Sequence, residues 1–199
     1  MFKKIIVCLL AILFISGGTV MAETTNGKKV LVAYFSMTGE QYGVGNISEG
    51  NTAIIGKMIA GKTDGQIFEI KVVKNNYPKA YNDLIDYAQK EKRANARPEI
   101  SGKVTDFADY DTIFIGYPNW WGDMPMPVYT FLESYDFTSK TVVPFCTHGG
   151  SGLSGTERTI KNITKADIKK GFSIYGTTAQ NKRKDADKQV SDWLKEIGY

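Results

Sequence analysis

Three short segments, each directly after an apolar run, carry side chains that could bind a ligand. In the first, Ser36 and Thr38 supply hydroxyl groups, and a helical pattern opens at Asn51-Thr52. Hydroxyls, free backbone N–H groups and the positive end of a helix together form an anion site. Because this segment contains no Lys or Arg, it predicts either a phosphate held by neutral donors or a capped helix with a polar loop. It lacks the Gly-Lys-Ser/Thr ending of a nucleoside-triphosphate loop.

Two adjacent tryptophans distinguish the second segment. Their side chains diverge, so one can fill the core while the other stays free to stack on a planar ring. Trp120 is the preferred stacking residue because it leaves the strand first, and Trp121 would then pack inward. The residues of this segment expected to contact a ligand are Pro118, Asn119, Trp120, Trp121 and Gly122.

The third segment is rich in glycine, which lets a backbone approach a ligand closely and direct N–H groups at it. Its candidate residues are Thr147, His148, Gly149, Gly150, Ser151 and Gly152. A flexible surface turn is the alternative interpretation. A serine hydrolase is disfavoured, because a nucleophile elbow needs Gly-x-Ser-x-Gly and a histidine later in the chain, whereas the single histidine here precedes the serines.

Five apolar runs rich in Val, Ile and aromatic residues alternate with five helical patterns. The predicted strands are Val30–Phe35, Ile67–Val73, Thr112–Tyr117, Val142–Thr147 and Phe172–Tyr175. The predicted helices are Thr52–Thr63, Tyr81–Ala94, Pro127–Ser134, Thr156–Ile163 and Asp185–Ile197. This alternation is typical of an α/β doubly wound sheet. Ligands of such sheets bind beyond the carboxyl ends of the strands, so we expect all three segments to meet at one edge.

Two longer stretches carry a family resemblance. The sequences "GYPNWWGDMPMPVYTFLESYDF" and "PFCTHGGSG" resemble the flavodoxin family, and in particular its bacterial flavodoxin-like branch. The resemblance extends from Lys29 to the last helix. It implies a flavodoxin-like doubly wound five-stranded parallel sheet of strand order 2-1-3-4-5 with helices on both faces. It also implies that FMN is the cofactor, and that the three segments contact its phosphate, ring face and ring edge.

The phosphate loop of the resembled family reads Ser/Thr-x-Thr-Gly-x-Thr. Joining Gly39 to Asn51 restores that motif here, so the implied phosphate-binding residues are Ser36, Thr38, Gly39, Asn51 and Thr52. Residues Glu40–Gly50 are then an insertion. Its glycines and apolar groups would allow it to fold over the cofactor as a lid, and a surface decoration that touches nothing is the alternative.

Charge bears on the expected redox role. The chain has 25 Lys and Arg against 21 Asp and Glu, whereas the resembled electron-carrier flavodoxins are strongly acidic and place an aromatic residue on the third loop. A neutral site with an open ring face favours two-electron reduction of a small molecule such as a quinone. The alternatives are a one-electron carrier and a flavin-free binding module. The redox partner is expected to be a small molecule or a protein. Nucleic acid is not expected, because the basic runs are interrupted by acids.

The N-terminus has the pattern of a cleaved signal peptide at residues 1–22, followed by a short tail at 23–28 and a flavodoxin-like domain at 29–199. The protein is therefore expected to be exported, either to a periplasm or outside the cell. A membrane tether through an uncleaved N-terminal segment is the alternative. After cleavage only Cys146 remains, which excludes an intramolecular disulfide and a cysteine-based metal site. No membrane span is expected in the mature chain, and no metal.

Overall fold

A computed structural model describes residues 27–199 of the chain. The predicted signal peptide and most of the predicted tail lie outside the described residues. Within 27–199, no helix is long and apolar enough to cross a membrane.

Ten strands and six α-helices make up the described chain. In chain order they are β1 (Val30–Tyr34), β2 (Gly39–Gln41), β3 (Gly45–Ile47), α1 (Asn51–Thr63), β4 (Gln66–Glu69), β5 (Lys71–Val72), α2 (Tyr81–Arg93), β6 (Ile100–Ser101), β7 (Thr112–Pro118), α3 (Met126–Glu133), β8 (Thr141–His148), α4 (Thr156–Thr164), β9 (Asp167–Ile168), β10 (Phe172–Tyr175), α5 (Gly176–Asn181) and α6 (Arg183–Glu196). A short 3-10 helix at Phe107–Asp109 precedes β7.

The central sheet has the strand order β4-β1-β7-β8-β10, and every neighbouring pair is parallel. Numbered by the five predicted strands, this order is 2-1-3-4-5, so the predicted fold is confirmed. The fifth strand is interrupted, because β9 pairs with the start of β8 at Thr141 and Val142 while β10 pairs with its end.

The second predicted strand is shorter than expected. The sequence predicts one strand over Ile67–Val73, but the pairing of β4 with β1 ends at Glu69. One further bond follows, from the Ile70 N–H to the Tyr34 carbonyl at 2.7 Å, and β1 itself ends at Tyr34. Residues Lys71–Val72 therefore leave the sheet and form β5, which pairs with β6 in an antiparallel ladder.

Helices cover both faces of the sheet. Alternate residues of β1 belong to different apolar clusters, with Leu31 in the first and Val32 in the second. The first cluster includes Leu84 of α2, Val128 of α3 and Ile160 of α4. The second includes Ile55 of α1 and Val190 of α6. Burial of both faces explains why the strands read as continuous apolar runs.

The insertion folds as an antiparallel hairpin, β2–β3, in which Gly39 pairs with Ile47 and Glu40 with Asn46. We call residues 39–47 the hairpin. Glu40 fixes it to the start of α2, because its N–H donates to the Lys79 carbonyl at 2.8 Å and its carboxylate accepts the Tyr81 N–H at 3.0 Å. The insertion is thus a folded element held against the body of the domain.

Candidate functional site

A cleft of about 340 Å³ opens at the carboxyl ends of the central strands. It is lined by residues of the hairpin, of α1 and α2, of the ends of β7 and β8 with the loops that follow them, and of the start of α5. Its lining residues are Gln41, Tyr42, Asn51, Tyr81, Leu84, Ile85, Pro118, Asn119, Trp120, Trp121, Gly122, Thr147, His148, Gly149, Ser151 and Gly176.

Hydroxyl groups hold the start of α1 at one end of this cleft. The Ala53 N–H donates to Ser36 Oγ at 3.1 Å, and the hydroxyls of Thr52 and Thr147 lie 2.8 Å apart in a buried hydrogen bond. The second bond joins the helix to the end of β8. These contacts aim the positive end of α1 at the cleft, the arrangement that favours an anion.

The glycine beside this helix start is Gly50 rather than Gly39. A Cβ atom on Gly50 would lie 2.2 Å from Ser36 Oγ and 2.5 Å from the Met37 carbonyl oxygen. Gly39 has a φ of +96° and packs against the backbone of Lys79. Gly50-Asn51-Thr52 therefore supplies the Gly-x-Thr half of the motif, and the insertion lies between Thr38 and Gly50.

A lysine that the sequence does not point to approaches the same loop. Lys79 Nζ donates to Thr38 Oγ1 at 3.0 Å. The expectation that only neutral donors surround this loop is therefore incomplete, because the Lys79 ammonium group is hydrogen-bonded to Thr38. Lys79 precedes α2 and is remote in sequence from the motif, so spacing could not reveal it.

Two buried polar atoms in the lining lack a partner among residues 27–199. They are the side-chain Oδ1 of Asn51 and the side-chain Nε2 of Gln41. An unpaired buried donor or acceptor is costly, and the pair supplies one of each kind at the same cleft. These open sites fit a ligand such as FMN, which carries phosphate, hydroxyl and ring carbonyl oxygens together with hydroxyl donors.

The two tryptophans divide their roles in the reverse of the expected order. Trp120 packs inward, with its ring 5.5 Å from Phe35 and 5.7 Å from Tyr77. Trp121 is 48% exposed and its Nε1–H donates to the carbonyl of Ile85 at 2.8 Å. A φ of +56° at Trp121 turns the chain so that this ring faces outward. The expectation that Trp121 packs inward is therefore wrong.

Asn119 joins the second and third loops. Its side-chain amide donates to the Gly152 carbonyl at 2.7 Å and to Ser154 Oγ at 2.9 Å, while its oxygen accepts the Gly122 N–H at 3.0 Å. These bonds hold the loop after β7 against the loop after β8.

His148 is a loop hydrogen-bonder. Its Nδ1 accepts the N–H of Gly150 at 2.9 Å, which leaves any proton of the neutral ring on Nε2. Burial lowers the pKa of His148 below its ordinary value of 6.5, so the imidazole is neutral at neutral pH. Its ring lies 4.6 Å from that of Tyr175.

None of the described residues that line the cleft is an Asp, Glu, Lys or Arg. The nearest acid of the tryptophan loop, Asp123, is engaged elsewhere: it accepts bonds from the Met124 N–H and the Tyr129 hydroxyl, both at 2.8 Å, and pairs with Lys92 at 3.2 Å. The cleft is therefore polar and aromatic but uncharged.

Ten of the predicted site residues line the cleft directly. They are Asn51, Pro118, Asn119, Trp120, Trp121, Gly122, Thr147, His148, Gly149 and Ser151. The other predicted residues, Ser36, Thr38, Gly39, Thr52, Gly150 and Gly152, lie outside the lining and support it or flank it. The lining residues that sequence reasoning missed are Gln41, Tyr42, Tyr81, Leu84, Ile85 and Gly176. Of these, only Gln41 and Tyr42 could have been suspected from the sequence, because they lie inside the interrupted phosphate-binding motif.

Known proteins resemble the chain along almost all of its described length. A family model described as Flavodoxin matches residues 29–196. A candidate flavoprotein from Bacteroides uniformis ATCC 8492 is 34% identical, with 85% of this chain and 99% of that one covered and a TM-score of 0.68. A second, from Bacteroides eggerthii DSM 20697, is 28% identical, with 86% and 98% covered and a TM-score of 0.67.

A more distant structure shares the fold. The flavoprotein from Lactobacillus acidophilus NCFM, solved in complex with FMN, is 24% identical, with 78% of this chain and 97% of that one covered and a TM-score of 0.58. No curated protein sequence matches the chain.

Proposed function

The chain belongs to the flavodoxin family, and from that premise we propose that it is an FMN-dependent oxidoreductase that passes electron pairs to a small planar acceptor such as a quinone. FMN is the cofactor, and when bound it supplies a ring system that accepts and releases two electrons. The orphaned side-chain atoms of Gln41 and Asn51 and the exposed face of Trp121 support this assignment.

The residues around the start of α1 would hold the phosphate of FMN. Ser36, Thr38, Asn51 and Thr52 surround the helix N-terminus, where backbone N–H groups and the helix dipole favour negative charge. Trp121 would offer its face for stacking on the ring, and the loop after β8, which Asn119 holds in place, would lie at the ring edge. The chain's own groups thus bind and orient the cofactor.

The absence of charged side chains among the described residues that line the cleft is the observation that supports two-electron transfer by FMN. Acidic residues near a bound ring would oppose addition of negative charge by Coulomb repulsion, which is strong where water is excluded. Here no carboxylate among the described residues lines the cleft, so full reduction of the ring meets no such penalty. Three exposed aromatic side chains, Tyr42, Trp121 and Tyr175, surround the same region and suit a flat aromatic substrate.

Anaerobic single-turnover mixing tests the proposal. The purified chain is loaded with FMN, reduced with light and a sacrificial donor, and mixed with a water-soluble quinone. Each reduced FMN should give up two electrons and two protons, so that one quinone becomes one hydroquinone per FMN. Free reduced FMN is the control, because it reduces quinones unaided. The proposal requires the protein to react faster than free FMN and to saturate with quinone concentration.

A slower, non-saturating reaction with quinone, combined with rapid one-electron transfer to a haem protein, would support the electron-carrier alternative instead. A chain that binds no FMN at micromolar concentration would support the flavin-free binding module.

We also propose that the protein acts after export, from the basic residues and apolar run at the start of the sequence. We expect cleavage before Glu23, after the small residues that a signal peptidase reads. Mass spectrometry of the protein recovered from an exported fraction should give a chain that begins at Glu23, and a full-length mass there would contradict cleavage.

A further inference from the structure

The hairpin contributes a polar group to the cleft that no part of the family motif accounts for. Gln41 lies at the end of β2, and its side-chain Nε2 is buried without a hydrogen-bond partner among residues 27–199. Asn51, whose buried Oδ1 is also unpaired, belongs to the phosphate loop expected from sequence. Gln41 belongs to the insertion, yet it lines the same cleft.

The neighbours of Gln41 fix its position on both sides. Glu40 before it makes two hydrogen bonds to the segment that opens α2, to the Lys79 carbonyl and from the Tyr81 N–H. Tyr42 after it places its ring 5.9 Å from that of Tyr81 and against Gly149 on the opposite loop. The amide of Gln41 is therefore held at the cleft before any ligand arrives.

We propose that Gln41 is a cofactor-binding residue, whose side-chain N–H donates a hydrogen bond to an oxygen of FMN. The inference rests on FMN being the cofactor, as proposed above, and is independent of the electron acceptor. FMN supplies acceptor oxygens along its whole length, and a donor that is buried and unpaired in the free protein gains a partner when FMN binds. The hairpin is thus part of the binding site.

Fluorescence titration of FMN into the FMN-free protein tests this. Replacing Gln41 with Leu removes the donor, and Gln41→Glu keeps the shape but removes the N–H and adds negative charge. Q41L should weaken FMN binding about tenfold, a typical loss for one buried hydrogen bond, and Q41E should weaken it further. Asn46, exposed on the facing strand of the hairpin, supplies the matched control: N46A should bind FMN as the wild type does.

Denaturant unfolding of the FMN-free proteins gives the second readout. Because Gln41 Nε2 has no hydrogen-bond partner among residues 27–199 of the FMN-free protein, Q41L should be as stable as the wild type or more stable. If Q41L binds FMN as tightly as the wild type does, the inference is overturned. It is also overturned if Q41L loses as much free energy of unfolding as free energy of FMN binding, because Gln41 would then have a structural role. If the wild type itself fails to quench FMN fluorescence, the proposed cofactor is wrong. If the wild type and Q41L bind FMN equally well, the cofactor stands and only the role of Gln41 is wrong.

Discussion

Tyr42 of the hairpin lies in close contact with Gly149 of the loop after β8. A Cβ atom added to Gly149 would stand 2.7 Å from Cδ1 of the Tyr42 ring, closer than real side chains pack. The sequence predicts that glycines in this loop let the backbone approach a ligand closely. In the structure, one of them, Gly149, leaves room for the ring of Tyr42. Tyr42 therefore bridges the cleft from the insertion to the third loop, which favours the lid interpretation over the surface decoration.

This contact predicts a compensating pair of variants. Gly149→Ala should push Tyr42 away, open the cleft and speed FMN dissociation several-fold, and the added methyl should have no backbone cost because Gly149 is not among the positive-φ residues. Combining G149A with Tyr42→Ala removes the clash, so the double variant should release FMN no faster than Y42A alone. Stopped-flow dissociation rates give the double-mutant cycle. Additive effects of the two changes would contradict the contact.

The tryptophan pair predicts two different losses. Trp121→Ala should lower FMN affinity about fivefold, since aromatic stacking contributes about 1 kcal/mol beyond area burial, with little change in stability. Trp120→Ala removes a ring packed on Phe35 and Tyr77, and should lower the free energy of unfolding by about 2 kcal/mol or more. FMN titration and urea unfolding of both variants separate the effects. The assignment fails if W121A unfolds early and W120A loses only affinity.

The tryptophans also show where sequence reasoning reaches its limit. The strands were predictable because burial on both faces leaves continuous apolar runs, and the strand order followed from the family resemblance. The direction of each ring was not predictable from its place in the chain, because it depends on the left-handed backbone at Trp121. The pattern of apolar residues indicates which residues of a strand are buried. A loop has no regular repeat, so the pattern does not indicate where its side chains point.

The insertion was unpredictable for a different reason. Its strands β2 and β3 are short and mostly polar, so no alternation marks them. What holds the hairpin is distant in sequence: Glu40 bonds to the Lys79 carbonyl at 2.8 Å and to the Tyr81 N–H at 3.0 Å. Just beyond the hairpin, Glu49 pairs with Arg183 at 3.0 Å. Helix α5 escaped prediction similarly, because its residues, Gly176–Asn181, lack an apolar stripe.

The uncharged lining predicts how the bound cofactor is reduced. Stepwise titration with dithionite should bleach FMN in one two-electron transition, with no long-lived radical absorbance. Ser151 lines the cleft, so Ser151→Asp should introduce the missing negative charge and lower the midpoint potential by on the order of tens of millivolts. Ser151→Ala controls for loss of the hydroxyl and should leave the potential near that of the wild type. A stable radical in the wild type would favour the electron-carrier role.

The last prediction concerns a carboxyl group behind the inward tryptophan. The hydroxyl of Tyr77, whose ring packs on Trp120, donates to Glu91 Oε2 at 2.7 Å. Burial raises the pKa of Glu91 above its ordinary value of 4.5, and the Tyr77 hydrogen bond opposes that rise. The folded state therefore binds this proton more tightly than the unfolded state does. By linkage, the stability that protonated Glu91 contributes is present below pH 4.5 and is lost as the pH rises through the raised native pKa.

Glu91→Gln isolates this effect, because the amide oxygen can accept the same bond from Tyr77 without burying a charge. Urea unfolding between about pH 4 and pH 8 should show E91Q gaining stability relative to the wild type as the pH rises from the unfolded-state pKa through the native one. Tyr77→Phe removes the bond that favours the ionised carboxylate, so Y77F should lose stability more steeply than the wild type over the same window. If the free energy of unfolding of the wild type instead rises relative to that of E91Q as the pH rises, the Tyr77 hydrogen bond outweighs the effect of burial. The native state would then favour the ionised carboxylate of Glu91.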